Sequence, residues 1–316
     1  MVRIGVIGAG HLGNIHLSII LNIPGYRLVG FIDPDHENAS LTASRFGIKR
    51  YDAIEDLLKD VDAIDIVSPT IHHFDLASMA IKASKHVFIE KPITHTVEQA
   101  KVLVELGYEG NVKIQVGHVE RFNPAFIQAR EFGLKPQYIE SRRLQAWNPL
   151  QPFQDVVMDM MIHDIDIVLS MVRSNVKSIQ ATGVHVFGTE PDIANARIEF
   201  DNGCVANLTA NRISPVEECE IKVYQEEACI RMDFLENRTE IQTPDELIIK
   251  DEAASQQLIK TPDNNFQTIP FMRELEHFRE SIVSNRPTAV SVQDGYDALN
   301  VATQILEKIQ SKVNIR

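Results

Sequence analysis

The chain has 316 residues, of which 44% are hydrophobic and 24% charged, values typical of folded globular proteins. This length exceeds one ordinary core and favours two domains. The formal net charge of −13 argues against a nucleic-acid partner, because binding a phosphate backbone needs a basic protein face.

The first 120 residues alternate short apolar runs with helical patterns. The apolar runs are Val2–Ile7, Leu28–Ile32, Ala63–Val67, His86–Ile89 and Val112–Val116. The helical patterns lie near residues 11–22, 35–46, 53–59, 72–84 and 96–107. Continuous apolar strands separated by helices predict a parallel sheet covered on both faces. Residues 1–120 are therefore predicted to form an α/β domain of the Rossmann type.

The pattern changes after residue 120. Helical patterns occur near residues 123–132, 153–172, 269–284 and 294–312. Strand-like runs are Gln137–Gln145, Ser178–Phe187, Ala194–Phe200, Cys204–Asn211, Cys219–Tyr224 and Ala228–Asp233. Turn sequences such as Asp201-Asn202-Gly203 favour antiparallel hairpins. Residues 121–316 are thus predicted to form an α+β substrate-binding and oligomerisation domain, with helices on one face of an open, mostly antiparallel sheet.

A glycine-rich turn follows the first apolar run. It has the spacing Gly8-x-Gly10-x-x-Gly13 and includes His11 and Leu12. A strand, this turn and a helix form the dinucleotide-binding fingerprint, in which glycines let the backbone approach a pyrophosphate at a helix N-terminus. Asp33 stands twenty positions after Gly13, at the end of the next strand, where a carboxylate can bind the adenosine ribose.

Asp33 also bears on the choice of cofactor. Its carboxylate would repel a 2′-phosphate, and the next residue, Pro34, cannot neutralise one. The sequence therefore predicts NAD, with NADP disfavoured.

Glu90-Lys91-Pro92 follows the fourth apolar run and so falls at the carboxyl edge of the predicted sheet, where α/β folds bind ligands. Lys91 could donate a hydrogen bond to a substrate oxygen or stabilise a developing alkoxide. On position alone, a solvated surface lysine is the simpler interpretation. The Lys91-Pro92 bond could be cis or trans.

A narrow polar stripe runs along the predicted helix at 153–172. It consists of Asp155, Asp159, His163, Asp166 and Ser170, which fall within an arc of roughly 80°. The stripe could be the solvent-exposed face of an amphipathic helix or the lining of a cleft. The spacing of the residues does not distinguish these two interpretations. Asp159 and His163 can meet at i and i+4, as suits a general base. No metal is expected, since no second histidine or cysteine stands at ligand spacing.

Three cysteines, Cys204, Cys219 and Cys229, show no Cys-x-x-Cys spacing. They indicate neither a disulfide framework nor a zinc site, and so favour a reducing, cytoplasmic location. Glycines break the N-terminal apolar run, so neither a signal peptide nor a membrane span is expected.

These motifs together resemble the Gfo/Idh/MocA family of oxidoreductases. The resemblance rests on the fingerprint, Ser68-Pro69-Thr70 with His73, Glu90-Lys91-Pro92, Asp159-x-x-x-His163 and the closing segment 294–299. It implies that Lys91, Asp159 and His163 are catalytic: His163 as base, Lys91 polarising the reacting oxygen, and Asp159 orienting His163 or holding a sugar hydroxyl. The cofactor-binding residues it implies are Gly8, Gly10, His11, Leu12, Gly13, Asp33, Ser68, Pro69, His73, Glu90 and Lys91. Members usually oxidise a ring hydroxyl of a sugar, cyclitol or nucleotide sugar, and assemble as homodimers or homotetramers.

The segment 117–124 is similar to that of bacterial members acting as UDP-N-acetylglucosamine 3-dehydrogenases. The resemblance implies a nucleotide-sugar substrate, bound by Lys91, His118, Arg121, Arg142, Trp147, Asp159 and His163. Arg121, Arg142 and Arg143 could hold a diphosphate. Alternatively, Arg121 could join the two domains through a salt bridge, and Trp147 could pack against protein instead of stacking on a ligand.

Other functions stay open. Within the family, a cyclitol or free-sugar dehydrogenase or a reductase similar to biliverdin reductase would fit the fold. A non-catalytic NAD-binding regulator is the alternative outside enzymes. Such a regulator would be expected to lack the Lys91, Asp159 and His163 set.

Overall fold

The computed structural model describes residues 1–148, 155–187, 189–251 and 268–313. The chain divides into two units, each with its own sheet. The first unit takes in Met1–Val119 and Gln256–Tyr296, and the second takes in Glu120–Ser255 and Asp297–Arg316. The break after Val119 lies next to the predicted boundary, but a later segment returns to the first unit.

The first unit is built on a parallel sheet, as the apolar runs predict. Its strands are β1 (Val2–Ile7), β2 (Tyr26–Ile32), β3 (Ala63–Ile66), β4 (His86–Glu90) and β5 (Ile114–Gly117), in the spatial order β2-β1-β3-β4-β5. The connecting helices are α1 (His11–Asn22), α2 (His36–Phe46), α3 (Ile54–Asp60), α4 (His73–Lys82) and α5 (Val97–Gly110). The order reverses beside β1, which places the β1–α1 turn at the switch point where such sheets bind ligands.

Local sequence signals fix where these helices begin and end. Asp35 caps α2 by accepting hydrogen bonds from the Glu37 and Asn38 amides. Thr96 and Gln99 cap the start of α5 reciprocally. Both devices satisfy amide groups that the first turn of a helix leaves without partners.

The second unit holds an eight-stranded sheet. Its strands are β6 (Tyr138–Ala146), β7 (Val176–Val184), β8 (Ile193–Phe200), β9 (Val205–Ser214), β10 (Glu218–Gln225), β11 (Ala228–Asp233), β12 (Arg238–Gln242) and β13 (Leu247–Asp251). Their spatial order is β13-β12-β11-β10-β6-β9-β8-β7. Neighbours pair antiparallel except β6 and β9, which run parallel. The sheet is therefore mostly antiparallel, as predicted.

Helices cover one face of this sheet. Helix α6 spans Pro124–Phe132, a π-helical segment spans Val157–Met161, and α7 spans Ile162–Val172. Their apolar side chains share a core with alternate residues of the strands, such as Ile198 and Leu208. The single regular helix predicted from 153 is thus interrupted by a π turn, and its first two residues lie outside the described ranges. A π segment inside a helix often marks a functional site.

The C-terminal helices are α8 (Thr268–Val283) and α9 (Val292–Val313). Helix α8 packs in the first unit, where Leu275 and Phe278 join the core that contains α1. The Tyr26 hydroxyl donates to the Leu275 carbonyl at 2.8 Å, and the Gln115 amide donates to the Glu274 carbonyl at 2.8 Å. This packing separates α8 from the predicted domain 121–316. Over the described residues, no helix is long and apolar enough to cross a membrane.

Candidate functional site

The glycine turn between β1 and α1 has the shape that a dinucleotide requires. Gly8 has φ +103°, and a Cβ on it would lie 2.6 Å from the Val67 carbonyl oxygen. A Cβ on Gly13 would lie 2.1 Å from the Gly8 oxygen, so turn and helix touch there. At Gly10 a Cβ would meet nothing within 4 Å. Open space at Gly10, beside the N-terminus of α1, fits a pyrophosphate.

Asp33 stands beside that turn with its carboxylate fixed. Its Oδ2 accepts from the Ala9 amide at 2.6 Å, and its Oδ1 accepts from the Asp35 amide at 2.8 Å. The Asn38 side chain donates to the Ala9 carbonyl at 2.8 Å. His11 and Leu12, the other candidates here, form the first turn of α1. The structure thus brings the fingerprint and the candidate ribose-binding carboxylate together.

A second group of candidates surrounds Lys91 at the end of β4. The Lys91 amide donates to Glu90 Oε2 at 3.0 Å, and the Lys91-Pro92 bond is cis. His73 lies with Nδ1 2.9 Å from the Pro92 oxygen and Nε2 2.8 Å from the Ser68 oxygen. Burial lowers the pKa of His73, although both carbonyls oppose that shift. His73 therefore links the turn at Ser68-Pro69 to the turn that carries Lys91.

Two residues that belong to none of the sequence motifs, His16 on α1 and Asp65 on β3, lie next to Glu90. His16 Nδ1 is 2.9 Å from Asp65 Oδ2, and His16 Nε2 is 3.4 Å from Glu90 Oε1. Both missed side chains are fully buried. One signal was visible in the sequence: an aspartate inside the apolar run Ala63–Val67, because ionisable residues are rarely buried without a partner.

The candidates Asp159 and His163 lie in the second unit. Asp159 belongs to the π segment, and His163 to the first turn of α7. Both are half-buried. Asp155 precedes them and accepts a hydrogen bond from the Val157 amide at 2.8 Å. Burial raises the pKa of Asp155 to about 6, with the charges of Glu190 and Asp159 adding to the shift.

The candidate arginines have separate carboxylate partners. Arg121 donates to Asp166 at 2.6 and 2.7 Å, and this pair is internal to the second unit instead of joining the units. Arg143 donates to Asp164 at 2.8 Å and to Glu120 at 2.9 Å.

Arg142 extends from the other face of β6, since successive side chains alternate along a strand, and it lies 3.4 Å from Glu218. The structure thus does not bring Arg142 and Arg143 together, and the idea that they hold one diphosphate stays a prediction.

The remaining substrate candidates differ in exposure. His118, just after β5, is 1% exposed. Trp147 is 37% exposed and contacts Phe187, with ring centroids 4.9 Å apart. Trp147 thus has a protein neighbour while keeping part of its ring in solvent. The proline after Asn148 lies outside the described residues.

The parallel sheet, the open glycine turn and the fixed Asp33 define a dinucleotide-binding protein of the Rossmann class. Residues 2–118 match a family described as an oxidoreductase family with an NAD-binding Rossmann fold. Residues 97–231 match the GFO/IDH/MocA C-terminal domain. The chain belongs to the GFO/IDH/MocA family of NAD-dependent oxidoreductases, as its motifs predict.

Individual relatives match between 68% and 98% of the chain. It is 31% identical to the UDP-N-acetylglucosamine 3-dehydrogenase of Acidithiobacillus ferrooxidans, over 98% of each sequence. A solved structure of that enzyme has a TM-score of 0.90 at 30% identity and covers 98% of both chains. A scyllo-inositol 2-dehydrogenase of Bacillus subtilis is 32% identical over 68% of each sequence.

Proposed function

We propose that this protein is an NAD-dependent dehydrogenase that oxidises a ring hydroxyl of a nucleotide sugar, with UDP-N-acetylglucosamine oxidised at C3 as the leading case. The observation that carries the proposal is the likeness to UDP-N-acetylglucosamine 3-dehydrogenase, which extends over 98% of both chains in sequence and in structure. Lys91, Asp159 and His163 are all present, which supports catalysis over regulation alone.

Each candidate residue has a distinct proposed role. His163 takes the proton of the reacting hydroxyl onto an imidazole nitrogen, and Asp159 orients His163 or holds a neighbouring sugar hydroxyl. Lys91 donates a hydrogen bond to the same oxygen and stabilises its developing negative charge. The glycine turn and Asp33 would hold NAD, which would supply the acceptor for the hydride that leaves the carbon, so that the hydroxyl becomes a ketone.

A substrate panel tests this function. NAD is mixed with UDP-N-acetylglucosamine, UDP-glucose, N-acetylglucosamine 1-phosphate or scyllo-inositol, and formation of reduced nicotinamide is followed by absorbance. We expect turnover to be fastest with UDP-N-acetylglucosamine, and much slower without the nucleotide. No turnover with any sugar, cyclitol or nucleotide sugar would contradict the enzyme assignment.

Replacing a candidate catalytic residue tests the mechanism. We expect Lys91→Met and His163→Ala to lower kcat by a factor of about 100 or more, because each removes a group that acts on the reacting oxygen. The NAD dissociation constant of the His163→Ala variant should stay unchanged. A kcat within about tenfold of the native value in either variant would overturn the assigned role.

A cyclitol dehydrogenase is the second candidate, since the chain is 32% identical to a scyllo-inositol 2-dehydrogenase over 68% of its length. The substrate panel separates the two, because a cyclitol enzyme would prefer scyllo-inositol and gain nothing from the nucleotide. A reductase similar to biliverdin reductase has less need of Asp159 and His163.

We also propose a homodimer or homotetramer in a reducing, cytoplasmic compartment. The wide eight-stranded sheet and three free thiols, at Cys204, Cys219 and Cys229, support this proposal. Light scattering after size-exclusion chromatography measures the oligomer size, and a monomer at micromolar concentration would contradict it. Cell fractionation tests the location.

A further inference from the structure

Three ionisable side chains meet inside the core of the first unit. His16 and Asp65 are fully buried and Glu90 is 6% exposed. His16 lies between the carboxylates, 2.9 Å from Asp65 and 3.4 Å from Glu90. Its contact with Asp65 is a hydrogen bond, and its longer contact with Glu90 is mainly electrostatic.

A gain in stability does not explain why these three ionisable side chains are buried together. Moving several ionisable groups out of water costs more than their attraction usually returns, and well-packed apolar residues are often at least as stable. Asp65 Oδ1 is buried without a hydrogen-bond partner among the described residues, which adds to that cost. Phe88 and Phe271 pack edge-on against the His16 ring, so an apolar side chain would suit the site. Such a cluster calls for a functional explanation.

The charges in the cluster favour a protonated His16. Burial opposes the charged form, but the Asp65 and Glu90 carboxylates outweigh burial and hold the pKa of His16 well above its usual value. Burial raises the pKa of Asp65, against the effect of His16. The imidazolium therefore lies between two carboxylates and offsets part of their negative charge.

Glu90 connects this cluster to Lys91. Its Oε2 accepts the Lys91 amide hydrogen at 3.0 Å, while its Oε1 faces His16. Gly117 makes room for the carboxylate, because a Cβ there would lie 2.7 Å from Oε1. One carboxylate thus contacts the buried imidazole with one oxygen and the backbone of the candidate catalytic lysine with the other.

We propose that His16 and Asp65 are positioning residues for Lys91: Asp65 orients His16, His16 holds the Glu90 carboxylate, and Glu90 fixes the backbone and electrostatic surroundings of the lysine. This role rests on the proposed function of Lys91 in hydride-transfer chemistry. Neither His16 nor Asp65 touches the substrate in this arrangement.

Neutral replacements test the positioning role by kinetics. We expect His16→Gln to lower kcat by about 10- to 100-fold, because small displacements of a catalytic group are costly. The KM for the sugar nucleotide and the NAD dissociation constant should change less than about threefold, since neither ligand contacts His16. Asp65→Asn keeps the side-chain size and an oxygen for His16, and should lower kcat less. It serves as the second variant should His16→Gln fold poorly.

Coupling to Lys91 separates positioning from general structural damage. In a Lys91→Arg background, His16→Gln should lower kcat by a much smaller factor than in the native protein. Tyr26→Phe is the matched control, because it removes a buried hydrogen bond of the same unit. It should lower Tm and leave kcat unchanged.

A measurement without substrate keeps this inference separate from the proposed function. Protein labelled with ¹³C at the lysine side chains is studied by NMR at one pH, and the Lys91 signal is assigned by its absence in Lys91→Arg. His16→Gln should move the Lys91 chemical shift, because the positive charge next to Glu90 is lost. Tyr26→Phe should not move it.

Two results would overturn the positioning role. One is an unchanged Lys91 chemical shift in folded His16→Gln and Asp65→Asn protein. The other is a loss of kcat that combines multiplicatively with Lys91→Arg. If the native protein shows no turnover but the Lys91 chemical shift moves as expected, the proposed function fails and the electrostatic link from His16 to Lys91 stands.

Discussion

At the scale of single residues, substitutions at Gly10 and Gly13 should distinguish an effect on cofactor binding from an effect on folding. Gly10 has open space and Gly13 abuts the Gly8 carbonyl. We expect Gly10→Ala to fold with an unchanged Tm but to bind NAD at least about tenfold more weakly, because its methyl group occupies the approach to the pyrophosphate. Gly13→Ala should lower Tm as well, since the backbone must shift.

Calorimetric titration with NAD and thermal melts of both variants check this prediction. The opposite pattern, with Gly10→Ala unstable and Gly13→Ala binding normally, would show that the turn does not hold the pyrophosphate.

Asp33 gives the second residue-scale prediction, which concerns cofactor choice. Asp33→Asn removes the charge that repels a 2′-phosphate, so the ratio of NADP to NAD affinity should rise at least about tenfold. Asp35→Asn is the control, because Asp35 caps α2 and lies two residues away. Fluorescence titration with both cofactors measures this ratio of affinities. An equal change of the ratio in Asp33→Asn and Asp35→Asn would show that Asp33 does not set the cofactor preference.

The sequence predicts residues well where a local motif carries the chemistry. The Gly8–Gly13 turn and Asp33 lie close in sequence, and their spacing alone implies their contact. His16, Asp65 and Glu90 meet only because three neighbouring elements pack together, and no short spacing links them. The different partners of Arg142 and Arg143 have a related cause: adjacent strand residues point to opposite faces, so closeness in sequence does not place their side chains together.

At the scale of elements, the ion pair between Arg143 and Asp164 fastens β6 to α7. Both side chains are nearly buried, and their atoms lie 2.8 Å apart. Asp164→Ala would leave a buried guanidinium with Glu120 as its one carboxylate partner among the described residues, so the free energy of unfolding should fall by about 3 kcal/mol.

The pair of Asp56 and Lys59 has the same 2.8 Å separation but is exposed. Asp56→Ala should therefore leave the free energy of unfolding unchanged within error, because water and ions screen the pair. Urea unfolding of both variants makes the comparison. Equal losses would mean that burial does not set the strength of these pairs.

Asp155, at the start of the π segment, gives stability a pH dependence. Its pKa rises from 3.8 to about 6 on folding, so the native state binds its proton more tightly than the unfolded state. The stabilisation that this tighter proton binding gives the native state is fully present below pH 3.8 and is lost as the pH rises through about 6. Asp155→Asn, neutral throughout, should stabilise the protein by up to about 3 kcal/mol near pH 8.

Melting curves between pH 4 and pH 8, roughly the window that the two pKa values define, check this expectation. The difference in Tm between Asp155→Asn and the native protein should shrink towards zero at the acid end. A constant difference across the range would exclude titration of Asp155 as its cause.

Most strands and helices follow from the sequence, because their apolar periods are local. The π turn at Val157–Met161 does not, since five residues are too few to show a changed period. Nor does the parallel pairing of β6 with β9, whose partners lie far apart in the chain. Strand pairing of this kind depends on tertiary packing, which the alternating pattern of each strand does not encode.

At the scale of the whole molecule, the order of the elements along the chain does not match their division between the two units. Helix α8 follows every strand of the second unit, yet its Leu275 and Phe278 complete the core around α1. The amphipathic pattern of α8 shows that one face must be buried, but not which unit buries it. For this reason the domain predicted for residues 121–316 includes α8, whereas the contacts of α8 lie in the first unit.

The return of α8 makes a prediction about fragments. Residues 1–120 alone would leave the surface beneath Leu275 and Phe278 in water, and would lose the hydrogen bonds that Tyr26 and Gln115 make to α8. Losing the packing of a large apolar side chain costs about 2–5 kcal/mol, and two such losses are a large part of the stability of a small domain. We expect this fragment to melt without cooperativity and to bind NAD weakly.

The same fragment joined to residues 268–291 by a flexible glycine–serine linker should melt cooperatively and bind NAD. A joined fragment with Leu275→Ala and Phe278→Ala is the control, and it should behave like residues 1–120 alone. Far-ultraviolet circular dichroism on heating, with and without NAD, distinguishes the three. A cooperative, NAD-stabilised transition in residues 1–120 alone would show that the core around α1 is complete without α8.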